Sequence, residues 1–573
     1  MPEEKKLTGF PSIDKPWLKY YSEEAITAPL PTGSMYDYMC TCNNKRLNAV
    51  ALNYFGKTIT HKQLRENIDS CAKALTANGI KPGDYVSLCM LTVPETVYLL
   101  YAINKIGAVA NFIVLNATER DIHKQIAACN SSLVVTMNLA EEKIVRAAKN
   151  TAVVNIVSVS LTQSMPTHLA LLLNLKKRKS ISGVILWKDF LQCGAKTEVP
   201  LYEANDDDPA VVEYTGGTTG DSKGVILSNQ AGNALAFHYR GADTVCHFDP
   251  GFNPGERFLN VLPPFLAYGL YVGIHLPLCI GMENILSPDP SPKNFPNLVH
   301  KYKPNHFAAG PMHIDCMMND PKIRKSDLSY LITVAFGGDK ASSEWEERVS
   351  GFLRDHKAPY GVINGYGMTE LAGTFCTSTH KLRALIPFVK NNIKIIAVDS
   401  GEELKFGEEG EICVSGPSMM QGYYKNDEAT NSTIWEENGV RWLHTGDLGY
   451  VTREGYFVIS GRLKRIFYSV GADDVTYRVY PMKIEATITQ CDSVQKCSVV
   501  GKPNGDKGYL PVAFIVLYDN ADQSKALSQI ETLCEQELPE TSRPTKYIIM
   551  DTLPTTGAGK VDYRTLEKEA ENI

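Results

Sequence analysis

The sequence predicts an α/β fold with a separate small domain at its C-terminal end. Three observations carry this expectation. A chain of 573 residues is too long for a single hydrophobic core and divides into about three or four domain-sized units. Amphipathic helical segments alternate with short apolar runs, the pattern of layered, mainly parallel sheets. A glycine-rich, strand-rich region leads up to residue 461. Roughly a hundred residues with their own βαβ-like pattern follow, a size that suits an independent domain.

The elements follow in order. Thr60 to Gly79 places Leu64, Ile68, Cys71, Ala72 and Leu75 on one helical face. Lys81-Pro82-Gly83-Asp84 is a turn, and Tyr85 to Met90 then alternates as a strand. Glu95 to Gly107 reads as a helix and Ala108 to Val114 as an apolar strand. Val211 to Tyr214 and Val225 to Leu227 read as two strands of a hairpin, with residues 215–224 at the tip. Phe258 to Met282 carries no Asp, Glu, Lys or Arg and is long enough to cross a bilayer. Pro263, Pro264 and Pro277 interrupt it, so it is expected to fold as buried strand, loop and helix. No internal repeat or low-complexity tract is evident.

The formal net charge of -6 argues against a general nucleic-acid binder. Fourteen cysteines are scattered singly with no zinc-type spacing, as in a reducing cytosol, and a cytoplasmic location is expected. The start, Met1 to Lys6, lacks the apolar region of a secretory signal. Leu169 to Leu175 runs into Lys176-Lys177-Arg178-Lys179. An apolar segment beside four cations can rest on an anionic membrane surface, giving peripheral contact through 169–179. A solvated helix end after a buried turn accounts for the same residues.

The most informative segment is Tyr214-Thr215-Gly216-Gly217-Thr218-Thr219-Gly220-Asp221-Ser222-Lys223-Gly224. Glycines free backbone amides to point at one anion, hydroxyls add donors and Lys223 adds a compact cation. No glycine precedes Lys223 and no Ser or Thr follows it, so this is not the GxxxxGK[ST] loop. Five further segments follow. Val334 to Asp339 ends a strand in Gly337-Gly338, which either admits a flat ring close to the backbone or forms a simple turn. Asn364-Gly365-Tyr366-Gly367-Met368-Thr369-Glu370 can stack a base, bind a phosphate and hold Mg²⁺, or be a polar turn before a helix. His444 to Gly449 places Asp447 in a tight turn, as a ribose acceptor or as a turn cap. Ser460 to Lys464 is a basic turn whose Arg462 pairs with phosphate or ribose, or with a surface acid. Pro554 to Lys560 sets a lysine on a glycine-rich loop, where it is either exposed or reaches a distant site.

In this order, from 214 to 560, these segments resemble the adenylate-forming (ANL) superfamily, which includes acyl- and aryl-CoA synthetases. The likeness extends to Thr58–Val114 and reaches the C-terminus. It implies a large N-terminal domain, 1–463, of α/β sheet subdomains plus a β-rich subdomain. It also implies a small mobile α+β domain, 464–573, carrying Lys560. It further implies that Thr215, Gly216, Gly217, Thr218, Thr219, Gly220, Lys223 and Gly224 cradle the β- and γ-phosphates of ATP. Gly337, Gly338 and Asp339 would border the adenine, with Tyr366 against its face and Gly367 beside it. Asp447 and Arg462 would hold the ribose. Thr369 would contact the α-phosphate, Glu370 would hold Mg²⁺, and Lys560 would bridge the acyl carboxylate and the α-phosphate. Lys464 matches the hinge. Phe265, Leu266, Tyr268 and Gly310 would form the acyl pocket.

The implied reaction joins a carboxylic acid to AMP and passes the acyl group to coenzyme A. Leu266 stands where many members have histidine, which removes a polar group from the pocket wall and favours an apolar acyl chain. The expected activity is therefore that of a medium- to long-chain fatty acyl-CoA synthetase. Arg465 follows the hinge lysine where an acid is frequent, Tyr468 replaces a second lysine, and the spacing from Gly471 to Pro481 is long. These departures keep open an acyl-AMP ligase that loads the pantetheine of a separate acyl carrier protein. An aryl-CoA ligase is a further alternative. Retention of Lys223, Glu370 and Lys560 speaks against a nucleotide-binding interaction protein without catalysis.

Overall fold

The structure, a computed structural model, describes residues 7–173, 181–215, 222–240, 251–338, 341, 343–380, 382–519, 521–555 and 560–573. The first helix of the predicted series, His61–Ala77, begins where its sequence dictates. The Thr60 side chain accepts from the Gln63 amide, and the Gln63 side chain accepts from the Thr60 amide. Its apolar face, including Leu64, Ile68, Cys71, Ala72 and Leu75, is buried. The strands Tyr85–Cys89 and Val109–Phe112 and the helix Pro94–Lys105 also fall at their predicted places.

Two large sheets organise the chain. An eight-stranded sheet runs in the order Gly422–Tyr423, Gly224–Ser228, Pro209–Tyr214, Val109–Phe112, Tyr85–Cys89, Leu133–Met137, Asn155–Val159, Val184–Leu186. From Pro209–Tyr214 onward its neighbours are parallel, whereas Pro209–Tyr214 and Gly224–Ser228 pair as an antiparallel hairpin. A nine-stranded sheet has a parallel centre built from Glu283–Leu286, Arg257–Asn260, His306–Ala309, Thr333–Phe336 and Val362–Tyr366. One continuous apolar core takes in side chains from both sheets and from the helices His61–Ala77, Pro94–Lys105 and Asn229–Arg240. A second core covers the other face of the nine-stranded sheet. The chain thus buries parallel strands on both faces, as such sheets require.

The uncharged stretch 258–282 folds as the strand Arg257–Asn260, a proline turn, a π-helix Tyr268–His275 and a short helix Leu276–Ile280. Pro277 has no N–H to offer the Gly273 carbonyl four residues before it. Here the Gly273 carbonyl accepts from Asn260 Nδ2 at 2.7 Å and from Asn284 Nδ2 at 2.8 Å. A Cβ at Gly273 would lie 2.6 Å from Asn260 Oδ1, so only glycine leaves room for that clamp. Among the described residues, no helix is long and apolar enough to cross a membrane. Leu171 and Leu172 in the helix Thr167–Leu173 are two-thirds exposed, and residues 174–179 lie outside the described residues.

A five-stranded antiparallel sheet, Asn392–Ile396, Gly410–Ser415, Val440–Val451, Ile434–Glu437 and Phe457–Arg462, forms the β-rich part. The turn expected at His444–Gly449 is instead an irregular stretch within the long strand Val440–Val451. Its register slips against Glu411–Cys413, and Gly446 has a φ of 69°. Beyond a short 3₁₀ segment, Leu463–Arg465, the last part carries a three-stranded sheet of Val494–Pro503, Tyr509–Leu517 and Lys546–Ile549. Helices Pro481–Ile488, Gln523–Glu537 and Tyr563–Glu571 enclose cores of its own. Arg465 belongs to this part. It bonds Glu485 at 2.5 and 3.2 Å and the Val499 carbonyl at 3.1 Å, and lies 4.1 Å over the Tyr563 ring. Side-chain bonds to the rest of the chain include Arg478 to Asp399, Lys483 to Glu409 and Arg348 to Tyr518.

Candidate active site

The site forms where the carboxyl ends of the two large sheets meet the β-rich part. The hairpin tip is closed by the Thr215 amide, which donates to the Lys223 carbonyl at 3.0 Å. Gly216, Gly217, Thr218, Thr219 and Gly220 lie outside the described residues. Ser222 Oγ accepts from Gln125 Nε2 at 3.2 Å. A Cβ on Gly224 would sit 3.0 Å from Val212 and 3.2 Å from Tyr214, so glycine lets the returning strand pass close.

Lys223 leads to the next element. Its ammonium lies 4.3 Å from the Tyr423 ring centroid, a cation–π contact. The Tyr423 hydroxyl donates to Glu370 Oε1 at 2.8 Å, and the Met420 amide donates to the Glu370 carbonyl at 2.8 Å. Burial, and then the Glu370 charge, push the Tyr423 phenol up, so it remains a donor. Glu370 is itself buried, in the 3₁₀ turn Thr369–Leu371, while Thr369 is half-buried. Gly367 precedes this turn, where a Cβ would stand 2.1 Å from the Gly373 carbonyl oxygen.

A second group centres on Asp447, which is 5% exposed. Its Oδ2 accepts from the Tyr366 hydroxyl and its Oδ1 from Arg462 Nε, both at 2.7 Å. Burial, followed by the Asp447 charge, raises the Tyr366 phenol well above its ordinary value. The strand carrying Asp447 is braced from its neighbour. Glu411 Oε1 accepts from the Gly446 amide at 3.1 Å, and Oε2 pairs with His444 Nδ1 at 2.9 Å. Trp435 packs on the His444 ring at 4.3 Å, and Cys413 Sγ lies 3.7 Å from Nδ1.

Gly337 and Gly338 follow the strand Thr333–Phe336. Gly337 backs onto Tyr268, whose ring would lie 3.3 Å from an added Cβ. Gly338 has a φ of 81° and open space beside it. Asp339 is outside the described residues. Lys560 is exposed, next to the bridge between Thr555 and Val561, and the hinge candidate Lys464 is also exposed.

Below Tyr268 a narrow cavity of about 30 Å³ runs between the π-helix and the nine-stranded sheet. Its wall is mainly apolar, with Val272 and Leu276 facing Ala308 and Ala335, and aromatic side chains of Tyr239, Phe252 and Phe258. Of the four sequence candidates only Tyr268 lines it. Phe265 is buried elsewhere in the core, Leu266 is half-buried against that core, and Gly310 caps the helix Pro311–Asn319. Sequence reasoning missed Tyr423, Glu411 and Tyr239. Tyr423 and Glu411 act on the site through contacts 33 or more residues away in the chain, Tyr239 lines the cavity, and nothing local marks any of them.

Known proteins give the same picture. The sequence profile of the AMP-binding enzyme family matches residues 41–424, and that of the AMP-binding enzyme C-terminal domain matches 483–560. The chain is 27% identical over 576 residues to a long-chain-fatty-acid--CoA ligase of Bacillus subtilis (strain 168), covering 97% of this chain and 99% of that protein. It is 28% identical over 489 residues to a probable 4-coumarate--CoA ligase 3 of Dictyostelium discoideum, covering 84% and 83%. Its fold is similar to that of the anthranilate CoA ligase AuaEII in complex with anthranoyl-AMP, at a TM-score of 0.80 and 21% identity, covering 96% and 99%. It is also similar to that of ATP-bound MatB from Rhodopseudomonas palustris, at a TM-score of 0.78 and 21% identity, covering 94% and 99%. With both profiles matched in order, and the first alone spanning most of the chain, this protein belongs to the AMP-binding enzyme family.

Proposed function

We propose that this protein is an AMP-forming fatty acyl-CoA synthetase. It activates a medium- to long-chain acid as an acyl-adenylate and transfers the acyl group to coenzyme A. The observation that carries this reading is the meeting of two features. A polar cluster of Lys223, Glu370, Tyr366, Asp447 and Arg462 stands over an apolar cavity whose wall includes Tyr268 and Gly365.

In the first half-reaction a carboxylate oxygen of the acid attacks the α-phosphorus of ATP, and the bond to pyrophosphate breaks. Two anions must approach, so positioned cations lower the barrier most. Lys223 and the hydroxyl-rich tip would take the departing phosphates, and Lys560 would reach across both reacting groups. Asp447 and Arg462 would hold the ribose, with Tyr366 against the adenine and Thr369 beside the α-phosphate. Glu370 fits Mg²⁺, since a single buried carboxylate together with substrate phosphates is the donor set that ion takes. Bound there, Mg²⁺ would offset charge on the phosphates. In the second half-reaction the thiol sulfur attacks the acyl carbonyl and AMP departs. Movement of the domain 464–573 about Lys464 would withdraw Lys560 and open the thiol's path.

The cavity supports an acyl chain over an amino acid. From Thr333 to Gly337 the strand advances four residues, roughly 13 Å, which at about 1.3 Å per bond matches about ten bonds of an extended chain. Entry of that chain requires the π-helix to part from the sheet, because the empty cavity is narrow. Exchange of labelled pyrophosphate into ATP, measured with and without decanoate, tests the reading. Decanoate-dependent exchange is expected. ATP binding without exchange would leave a nucleotide-binding protein and no synthetase.

A further inference from the structure

The far end of the acyl cavity is not apolar. In the parallel sheet, Phe258, His306 and Thr333 stand side by side in one register row. Paired residues of neighbouring strands face the same side, so His306 shares the cavity face with Phe258 and Thr333, which both line the cavity. Phe252, another wall residue, packs on the His306 ring at 4.9 Å.

Two hydrogen-bonding groups meet in this row. His306 is 0% exposed, and its Nε2 lies 2.8 Å from Glu256 Oε2. Because a carboxylate only accepts, Nε2 carries the proton. In the neutral ring Nδ1 is then an acceptor, and it has no hydrogen-bond partner among the described residues. Thr333 is 5% exposed, and among the described residues its hydroxyl reaches only His380 Nε2, at a long 3.5 Å. A buried acceptor without a partner and a buried hydroxyl with a weak one cost stability unless a ligand completes them.

Building on the acyl-CoA synthetase reading, we infer that the preferred substrate is a medium-chain acid with a hydroxyl at its far end. A terminal hydroxyl both donates and accepts. It would donate its one proton to His306 Nδ1 and accept from the Thr333 hydroxyl. A terminal carboxylate would instead bring a second anion against Glu256 and lone pairs against Nδ1. The about ten bonds between the mouth and this row place the hydroxyl of a roughly ten-carbon acid there.

The test compares kcat/KM for 10-hydroxydecanoate, decanoate and decanedioate, with ATP, Mg²⁺ and coenzyme A. The full-length wild type is set beside Thr333→Val and His306→Phe. In the wild type 10-hydroxydecanoate should exceed decanoate by about 10-fold or more, and decanedioate should be the poorest. Thr333→Val, which keeps shape and removes the hydroxyl, should collapse the ratio between the two monoacids, as should His306→Phe. If His306→Phe does not fold, the ratio in Thr333→Val decides. Equal kcat/KM for the two monoacids in the wild type would overturn the inference, and so would a preference that survives Thr333→Val. Turnover of decanoate without discrimination removes this inference alone, whereas no turnover of either monoacid removes the synthetase reading itself.

Discussion

Asp447→Asn separates a structural role from a nucleotide-binding role at one atom pair. The substitution keeps shape but removes the charge that accepts from Tyr366 and Arg462, both at 2.7 Å. Hydrogen bonds to a charged group are worth about 1.5–3 kcal/mol and neutral ones about 0.5–1.5. Weakening two of them would cost roughly 2–3 kcal/mol in full burial. The Arg462 side chain is 48% exposed, however, so water compensates part of its loss and about 1–2 kcal/mol of folding stability should go. A bound ribose would lose two charge-assisted bonds of the same kind. About 2 kcal/mol there corresponds to a roughly 30-fold weaker Kd for ATP. Urea titration reads the first quantity and calorimetric titration with ATP reads the second. With 2′,3′-dideoxy-ATP the wild type should already be weak, and Asp447→Asn should add little. If the variant is destabilised but binds ATP as the wild type does, Asp447 braces the fold and does not hold the ribose. A loss of the same size with dideoxy-ATP would refute the reasoning equally.

Other perturbations carry distinct signatures. Lys560→Ala should lower acyl-adenylate formation by at least about 100-fold while sparing thioester formation from supplied acyl-AMP. Equal loss of both half-reactions would sink its assigned role. Glu213, 0% exposed, has neither carboxylate oxygen bonded among the described residues, and burial raises its pKa well above the ordinary 4.5. The unfolded chain releases this proton first, so wild-type stability is lost as pH rises above about 4.5. Glu213→Gln should therefore match the wild type near pH 4 and gain on it by about 1.4 kcal/mol per pH unit above that, up to the folded pKa. A gain independent of pH would contradict the sign. Arg465→Ala strands Glu485, whose side chain is 11% exposed, and should cost about 3–5 kcal/mol. Faster amide exchange confined to residues 481–571 is expected, and unchanged exchange there would show that Arg465 does not anchor the last domain.

Much of this architecture is legible without coordinates because local physics and global fold agree. The capping pair Thr60 and Gln63, the apolar spacing through Leu75 and the turn at Lys81–Asp84 each act within a few residues. The hairpin at Pro209–Ser228 was equally visible, since two β-branched runs bracket a glycine-rich tip. What failed to show was decided at a distance. Asp447 looked like a turn residue, because His444-Thr445-Gly446-Asp447 has turn composition. The pairing of that strand with Glu411–Cys413 turns the glycine into an irregularity inside a long strand. Leu266 holds a pocket residue's place in the motif, but the cavity below Tyr268 is lined instead by Tyr268 and Val272 of the π-helix and by Leu276 of the helix that follows it. The Gly273 carbonyl within this π-helix is held by Asn260 and Asn284 from two strands of the sheet. No periodicity in 258–282 reports that.

The most direct test of the assigned chemistry is AMP release from ATP and Mg²⁺. It should be followed with octanoate, decanoate, palmitate, benzoate and coumarate, each with and without coenzyme A. Sustained release that requires both coenzyme A and a fatty acid is expected, with decanoate well above benzoate and coumarate. Release driven best by an aryl acid would contradict the acyl cavity, and acyl-AMP that accumulates and resists coenzyme A would contradict the acceptor.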